Sequence, residues 1–148
     1  MLGRTYDDQV CSIARSLEVL GERWTLLIVR DALLGLRRFA DFQRSLGVAR
    51  NVLTERLARL TGAGVLERVA YQQHPPRHEY HLTPMGRQLA VPVIALMHWG
   101  DEHFAEPQGP PRLTRHRDCG GEVRVTFTCV DCDRPIGAGE LEVLPGGG

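Results

Sequence analysis

A mainly helical α+β fold follows from three features of the sequence. Apolar residues recur at helical spacing in four segments before residue 62, each closed by a glycine or a tight turn. Two strand-like runs then flank the polar tip Gln72-Gln73-His74-Pro75-Pro76-Arg77. A Thr-Pro step after the second run opens a further helix. The 148 residues suffice for one domain with a core, or for one domain and a small appendage.

The first helix runs from Ser12 to Leu20, with Ile13, Leu17 and Leu20 on one side, and Gly21 ends it. The second, Trp24 to Leu34, carries Leu26, Leu27, Val29, Ala32, Leu33 and Leu34; being apolar on most sides, it is the expected central helix. Gly35 stops it. A short helix from Phe39 to Leu46 turns Phe39, Phe42 and Leu46 inward, and Gly47-Val48-Ala49 forms a tight turn. The next helix, Arg50 to Thr61, places Leu53, Leu57 and Leu60 on one stripe, with Asn51, Thr54, Glu55, Ala58 and Arg59 opposite. Gly62 and Gly64 close it. Val65 and Val69, then Tyr80 and Leu82, supply strand alternation. Thr83 caps a helix that Pro84 begins. That helix runs to about Phe104, with Leu89, Val93, Leu96, Trp99 and Phe104 along it and a kink or break expected at Pro92. The boundaries read as a main domain over residues 1–106, a Pro/Gly linker at 107–111, a small β tail module at 112–144 and a disordered end at 145–148.

No apolar run is long enough to cross a bilayer, and MLGRTYDDQV lacks the apolar core of a signal peptide, so a cytoplasmic protein without membrane contact is expected. In that compartment paired cysteines point to metal or redox chemistry rather than to structural disulfides. The net charge is zero, which removes bulk attraction to nucleic acid. The distribution is uneven, however. Between Leu36 and Leu60 six arginines (Arg37, Arg38, Arg44, Arg50, Arg56, Arg59) oppose only Asp41 and Glu55, a local +4. A solvated helix face would give the same count; so would a compact DNA-reading module.

Two short helices joined by a glycine turn and followed by a hairpin make a winged helix-turn-helix, whose second helix is sized for a major groove. There Asn51 is placed to read adenine, and an arginine to read guanine. The sequence also resembles the HxlR family of bacterial winged-helix transcription regulators, relatives of the MarR type. The resemblance is carried by Cys11, GERWTLLI at Gly21–Ile28, RFADF at Arg38–Phe42, LTERL at Leu53–Leu57, GVLER at Gly64–Arg68, EYHLTPMG at Glu79–Gly86, and Trp99. It implies a DNA-binding surface drawn from Arg37, Arg38, Arg50, Asn51, Thr54, Glu55, Arg59, His74 and Arg77. It also implies a wing whose tip residues His74 and Arg77 meet phosphate, stiffened by Pro75-Pro76. A homodimer built from the first helix and the helix after the wing is implied too, as is response to a thiol-reactive or small-molecule effector. The family usually has serine where this chain has Ala49, so a side-chain cap worth about 1 kcal/mol is missing.

Cys11 stands just before a helix N-terminus, with Arg15 one turn on; both favour a thiolate, and Asp7 and Asp8 oppose it. This makes it a redox-sensing candidate, or a small buried residue. The spacing His116-x2-Cys119-x9-Cys129-x2-Cys132 is that of a zinc ribbon. These four are the candidate ligands of a structural Zn2+, with Asp118 or His103 as substitutes for His116. Strands are expected at Val123–Phe127 and Leu141–Val143. Cys129-x-x-Cys132 also suits a redox pair. The leading function is thus a sequence-specific DNA-binding regulator, a homodimeric repressor. The alternatives are a winged-helix module that binds protein and a thiol redox protein using the tail. No catalytic base, phosphate loop or open metal position supports an enzyme.

Overall fold

The computed structural model describes residues 5–147. Its first unit runs to Val93 and its second begins at Ile94. The boundary between the units falls within a helix. Gly148, part of the expected disordered end, lies outside the described residues.

Four helices open the first unit: α1 (Ser12–Leu20), α2 (Thr25–Leu33), α3 (Phe39–Leu46) and α4 (Arg50–Gly62). Each agrees with the apolar spacing to within a residue at either end. The α3–α4 turn depends on Gly47, whose φ of 63° lies in the left-handed region that a Cβ disfavours. Ala49 is the residue before α4 and supplies no side-chain cap, as the missing serine implies. The core forms where the stripes meet. Ile28 and Val29 of α2, Phe42 of α3, and Leu53, Leu57 and Leu60 of α4 are wholly buried. Leu27 and Leu34 are exposed, so α2 is central but open on one side.

The strands β1 (Leu66–Gln73) and β2 (Pro76–Leu82) form an antiparallel pair, in register from Leu66↔Leu82 to Gln73↔Pro76, with an irregularity between Ala70 and Gln72. Pairing continues farther than the polar tip suggests and leaves only His74 and Pro75, joined by a cis peptide bond, at the end. The expected inward alternation ends early: Leu66 is buried but Val69 is exposed. The hairpin therefore leaves the core after its first residues. It is tied back by the Tyr80 amide, which donates to the Arg37 carbonyl at 2.7 Å.

Thr83 caps α5 (Pro84–Arg87) by accepting the Gly86 amide at 3.0 Å. The long helix expected here is instead two, α5 and α6 (Ala90–His103). Pro92 explains the break. It has no amide to give the carbonyl of Gln88, and its ring crowds that carbonyl, so the chain opens at Gln88–Leu89 and Pro92 sits in the first turn of a new helix. Leu89 and Val93 pack on the first unit's core.

The second unit contains the rest of α6 and a tail with β3 (Phe127–Thr128) and β4 (Pro135–Ile136), which pair antiparallel, followed by a 3-10 turn at Ala138–Glu140. The strands expected at Val123–Phe127 and Leu141–Val143 are thus corrected to a shorter pair. The only other ladder contact among the described residues is the Arg115↔Glu122 bridge. No described residue from 94 to 147 is buried.

Candidate nucleic-acid interface

On α4, burial of the leucine stripe leaves Asn51, Thr54, Glu55, Ala58 and Arg59 exposed on the opposite side. The Thr54 hydroxyl donates to the Arg50 carbonyl at 2.8 Å and keeps its lone pairs for an incoming donor. Glu55 lies 3.0 Å from Arg56, and Arg59 lies 3.7 Å from Glu22. The exposed Arg59–Glu22 pair is of a kind worth roughly 0–1 kcal/mol, so Arg59 can turn to another partner at small cost.

The arginine island divides by role. Arg56 is largely covered; it donates to the Arg23 carbonyl at 3.2 Å and meets Glu22 at 3.4 Å, which fastens α4 to the α1–α2 turn. Arg44 pairs with Asp41 at 3.2 Å along α3. Arg50 folds back over the Phe39 ring, 4.7 Å from its centre, and joins the starts of α3 and α4. Arg38 stacks over Tyr71 at 4.7 Å and reaches Glu79 at 3.6 Å. It thereby links the start of α3 to the wing, a role that the resemblance did not suggest. Arg37, at the α2–α3 connection, and His74 and Arg77, at the wing end, are exposed. Of the residues expected to meet DNA, Asn51, Thr54, Glu55 and Arg59 share the exposed side of α4, and the wing is tied to the α2–α3 connection by the Tyr80–Arg37 link.

Sequence reasoning missed Glu22, Tyr71 and Glu79. They position Arg56, Arg59 and Arg38 across 33 to 41 residues of chain, and no local pattern announces such pairings. The imidazole of His81 lies 2.8 Å from Glu79. That hydrogen bond foremost, with a smaller contribution from Arg38, holds the Glu79 carboxyl below its ordinary value.

Cys11 is exposed at the N-terminal end of α1, between the exposed Val10 and Ile13. In the tail, His116 Nδ1 lies 3.3 Å from Cys119 Sγ. Cys129 and Cys132 share the β3–β4 turn, where the Arg134 side chain first, then its backbone and Cys129, hold the Cys132 thiol below its ordinary value. The four residues are thus assembled as two pairs. Among the described residues no three His, Cys, Asp or Glu side chains converge as a metal cluster. His103 packs at a tilt against Trp99, with ring centres 5.3 Å apart.

A helix-turn-helix with a bare second helix and an attached wing defines a DNA-binding protein of the winged-helix regulator class. Residues 19–108 match the model of the HxlR-like helix-turn-helix family, and the chain belongs to that family. It is 44% identical over 137 residues, 93% of its length and 87% of the relative's, to the uncharacterized HTH-type transcriptional regulator Rv3095 of Mycobacterium tuberculosis (strain ATCC 25618 / H37Rv). It is 37% identical over 105 residues to the uncharacterized HTH-type transcriptional regulator YtfH of Escherichia coli (strain K12), covering 70% of this chain and 82% of that one. Among solved structures, PA1607, a proposed transcription factor, superposes with a TM-score of 0.80 at 36% identity, over 93% of this chain and 96% of that one. The redox regulator HypR in its reduced form superposes with a TM-score of 0.60 at 30% identity, over 64% of this chain and 94% of that one. The protein is accordingly a DNA-binding transcriptional regulator and not an enzyme. Among the described residues, no helix is long and apolar enough to cross a membrane.

Proposed function

We propose that the protein acts in the cytoplasm as a homodimeric repressor that reads an inverted repeat in double-stranded DNA, with half-sites about one helical turn apart. The carrying observation is the solvent-exposed polar face of α4, from Asn51 to Arg59, opposite a fully buried leucine stripe. Asn51 reads a base edge, Arg37 and Arg50 approach phosphate, and His74 and Arg77 follow the flanking backbone. A second copy is supported by α6, a 14-residue helix with no buried residue, on which Val91, Leu96 and Trp99 are exposed. Val10, just before α1, and Ile13 and Leu17 on it are likewise uncovered. Repression follows from occupancy of the operator. A small-molecule effector belongs to this reading, and its candidate seat is an apolar cleft of about 160 Å³ lined by Ser16, Val19, Leu20, Val65, Met85 and Leu89. His116, Cys119, Cys129 and Cys132 are retained as candidate ligands of a structural Zn2+.

Footprinting on the DNA immediately upstream of its own gene tests this reading. The expected result is two protected half-sites related by a two-fold axis. Folded protein that protects nothing at low salt favours the protein-binding alternative.

A second reading, thiol sensing, is supported by the exposure of Cys11 and by the likeness to HypR, which is solved in reduced and oxidised forms. Mild oxidant is expected to weaken operator binding, and Cys11→Ser to abolish that response. A response that persists in the serine variant removes Cys11 as the sensor.

A further inference from the structure

The tail contains the same turn twice. In the first, the His116 amide donates to the Gly121 carbonyl at 2.9 Å, and the Gly120 amide donates to the His116 carbonyl at 2.8 Å. In the second, the Cys129 amide donates to the Arg134 carbonyl at 2.9 Å, and the Asp133 amide donates to the Cys129 carbonyl at 2.8 Å. Each turn has a soft or borderline donor at its first position and a cysteine three residues later. In each, the residue after that cysteine is left-handed: Gly120 at φ 71° and Asp133 at φ 58°. In the first turn a backbone amide, that of Gly121, also points at sulfur, 3.4 Å from Cys119 Sγ. A non-glycine residue in the left-handed region is uncommon, so Asp133 marks a backbone shape imposed by the turn.

Two further observations give this repeat a purpose. No described residue from 94 to 147 is buried, so the tail has no apolar core to hold its turns together. Small modules in that position use metal or disulfides, and all four cysteines are free thiols. The first turn also presents its donors at a suitable spacing. A tetrahedral zinc ion with ordinary Zn–N and Zn–S bonds sets neighbouring N and S ligands about 3.5 Å apart. His116 Nδ1 and Cys119 Sγ are separated by 3.3 Å. The other ring nitrogen, Nε2, faces the Asp118 carboxylate at 3.8 Å, the side on which a zinc-bound imidazole is usually held by an acceptor. His103 is engaged elsewhere, packed at a tilt against Trp99.

We propose that residues 112–147 form a zinc-binding module in which two matched turns each supply half of a Cys3His site. His116 Nδ1, Cys119, Cys129 and Cys132 are the ligands. Asp118 is a positioning residue that orients the imidazole through Nε2, not a ligand. The halves are separate in the structure, and the ion is what draws them together, so that binding and ordering of the tail are one process. Three thiolates and an imidazole complete a tetrahedron and leave no open position for catalysis. The proposal stands apart from the DNA-binding reading, because none of these residues lies on α4 or the wing.

The test uses the full-length protein and Co2+ as the spectroscopic probe, with zinc content measured by elemental analysis. One metal per chain and the visible absorption of a tetrahedral thiolate site are expected. Cys119→Ser and Cys129→Ser, one from each turn, should each weaken binding at least 100-fold. Asp118→Asn should keep the stoichiometry and the Co2+ spectrum while weakening affinity 10–100-fold. Removing the metal with a chelator should expose residues 112–147 to protease and leave the region before residue 93 resistant and able to bind DNA. Metal binding that survives Cys119→Ser undiminished overturns the two-turn site, as does the absence of any thiolate–Co2+ absorption. A Co2+ spectrum altered by Asp118→Asn, or an unchanged affinity, overturns the role given to Asp118.

Discussion

In the proposed reading, base recognition rests on Asn51. It is exposed on α4, and the buried stripe of Leu53, Leu57 and Leu60 fixes the direction it faces. Asn51→Ala should cost about 1–3 kcal/mol of operator binding and leave binding to random duplex nearly unchanged, since phosphate contacts carry no sequence information. Competition of labelled operator against both DNAs measures the difference. Glu79 gives a pH signature at the same scale. Its carboxyl is lowered chiefly by the His81 hydrogen bond. A group lowered in the folded state stabilises at every pH above its unfolded value and loses that contribution as pH falls through the folded one. The contribution of the Glu79 carboxylate is therefore present at neutral pH and is lost as pH falls below the ordinary carboxylate value of 4.5. Melting temperatures followed from neutral pH downward should diverge least between wild type and Glu79→Gln at the acid end. Asn51 was legible in the sequence because helical spacing alone puts it opposite the leucines. Glu79 was not, because its partner Arg38 is 41 residues away and no periodicity links them.

At the scale of elements, the helices were legible almost to the residue, since glycine, proline and apolar spacing act locally. The junction after the wing was only partly legible. Pro92 forecasts a break but not its place; the carbonyl four residues back, that of Gln88, determines it. The tail strands were misjudged for a related reason. Alternation at Val123, Val125 and Phe127 suggests a strand, yet the two turns around the tail cysteines decide where pairing occurs: the first sets Arg115 opposite Glu122, and the second pairs Phe127–Thr128 with Pro135–Ile136. One junction is sterically tight. A Cβ built on Gly86 would lie 2.1 Å from the Val65 carbonyl oxygen and 3.1 Å from a Leu82 methyl. The first contact is with backbone and cannot move aside without shifting β1 from α5. Gly86→Ala should therefore destabilise the protein by about 1–3 kcal/mol or more, as overpacking does. Gly62, where an added Cβ meets nothing, should tolerate alanine. Chemical denaturation of the two variants makes the comparison.

At the scale of the whole molecule, the sequence predicted an apolar stripe on the helix after the wing, and the structure divides it. Leu89 and Val93 serve the first unit's own core, whereas Leu96, Trp99 and Phe104 remain exposed. Because Leu96 and Trp99 are open to solvent in the single chain, Leu96→Glu with Trp99→Glu should leave its fold intact and prevent the proposed pairing of two copies. Sedimentation should then report a monomer, and operator affinity should fall because two half-sites can no longer be held together. No comparable pattern indicated the division of the chain within α6. That boundary depends on which residues find partners in three dimensions, and apolar spacing reads the same on both sides of Val93.

The most direct test of the account is the salt dependence of duplex DNA binding by the full-length protein, measured by fluorescence anisotropy with a triple variant, Asn51→Ala/Thr54→Ala/Arg59→Ala, alongside. The logarithm of the wild-type association constant should fall linearly with the logarithm of salt concentration, with a slope of about −0.9 for each phosphate neutralised. The triple variant should remain folded, lose preference for the operator and show a shallower slope. A folded wild-type protein that does not bind duplex DNA at low salt, or a triple variant that binds the operator as well as wild type, would contradict it.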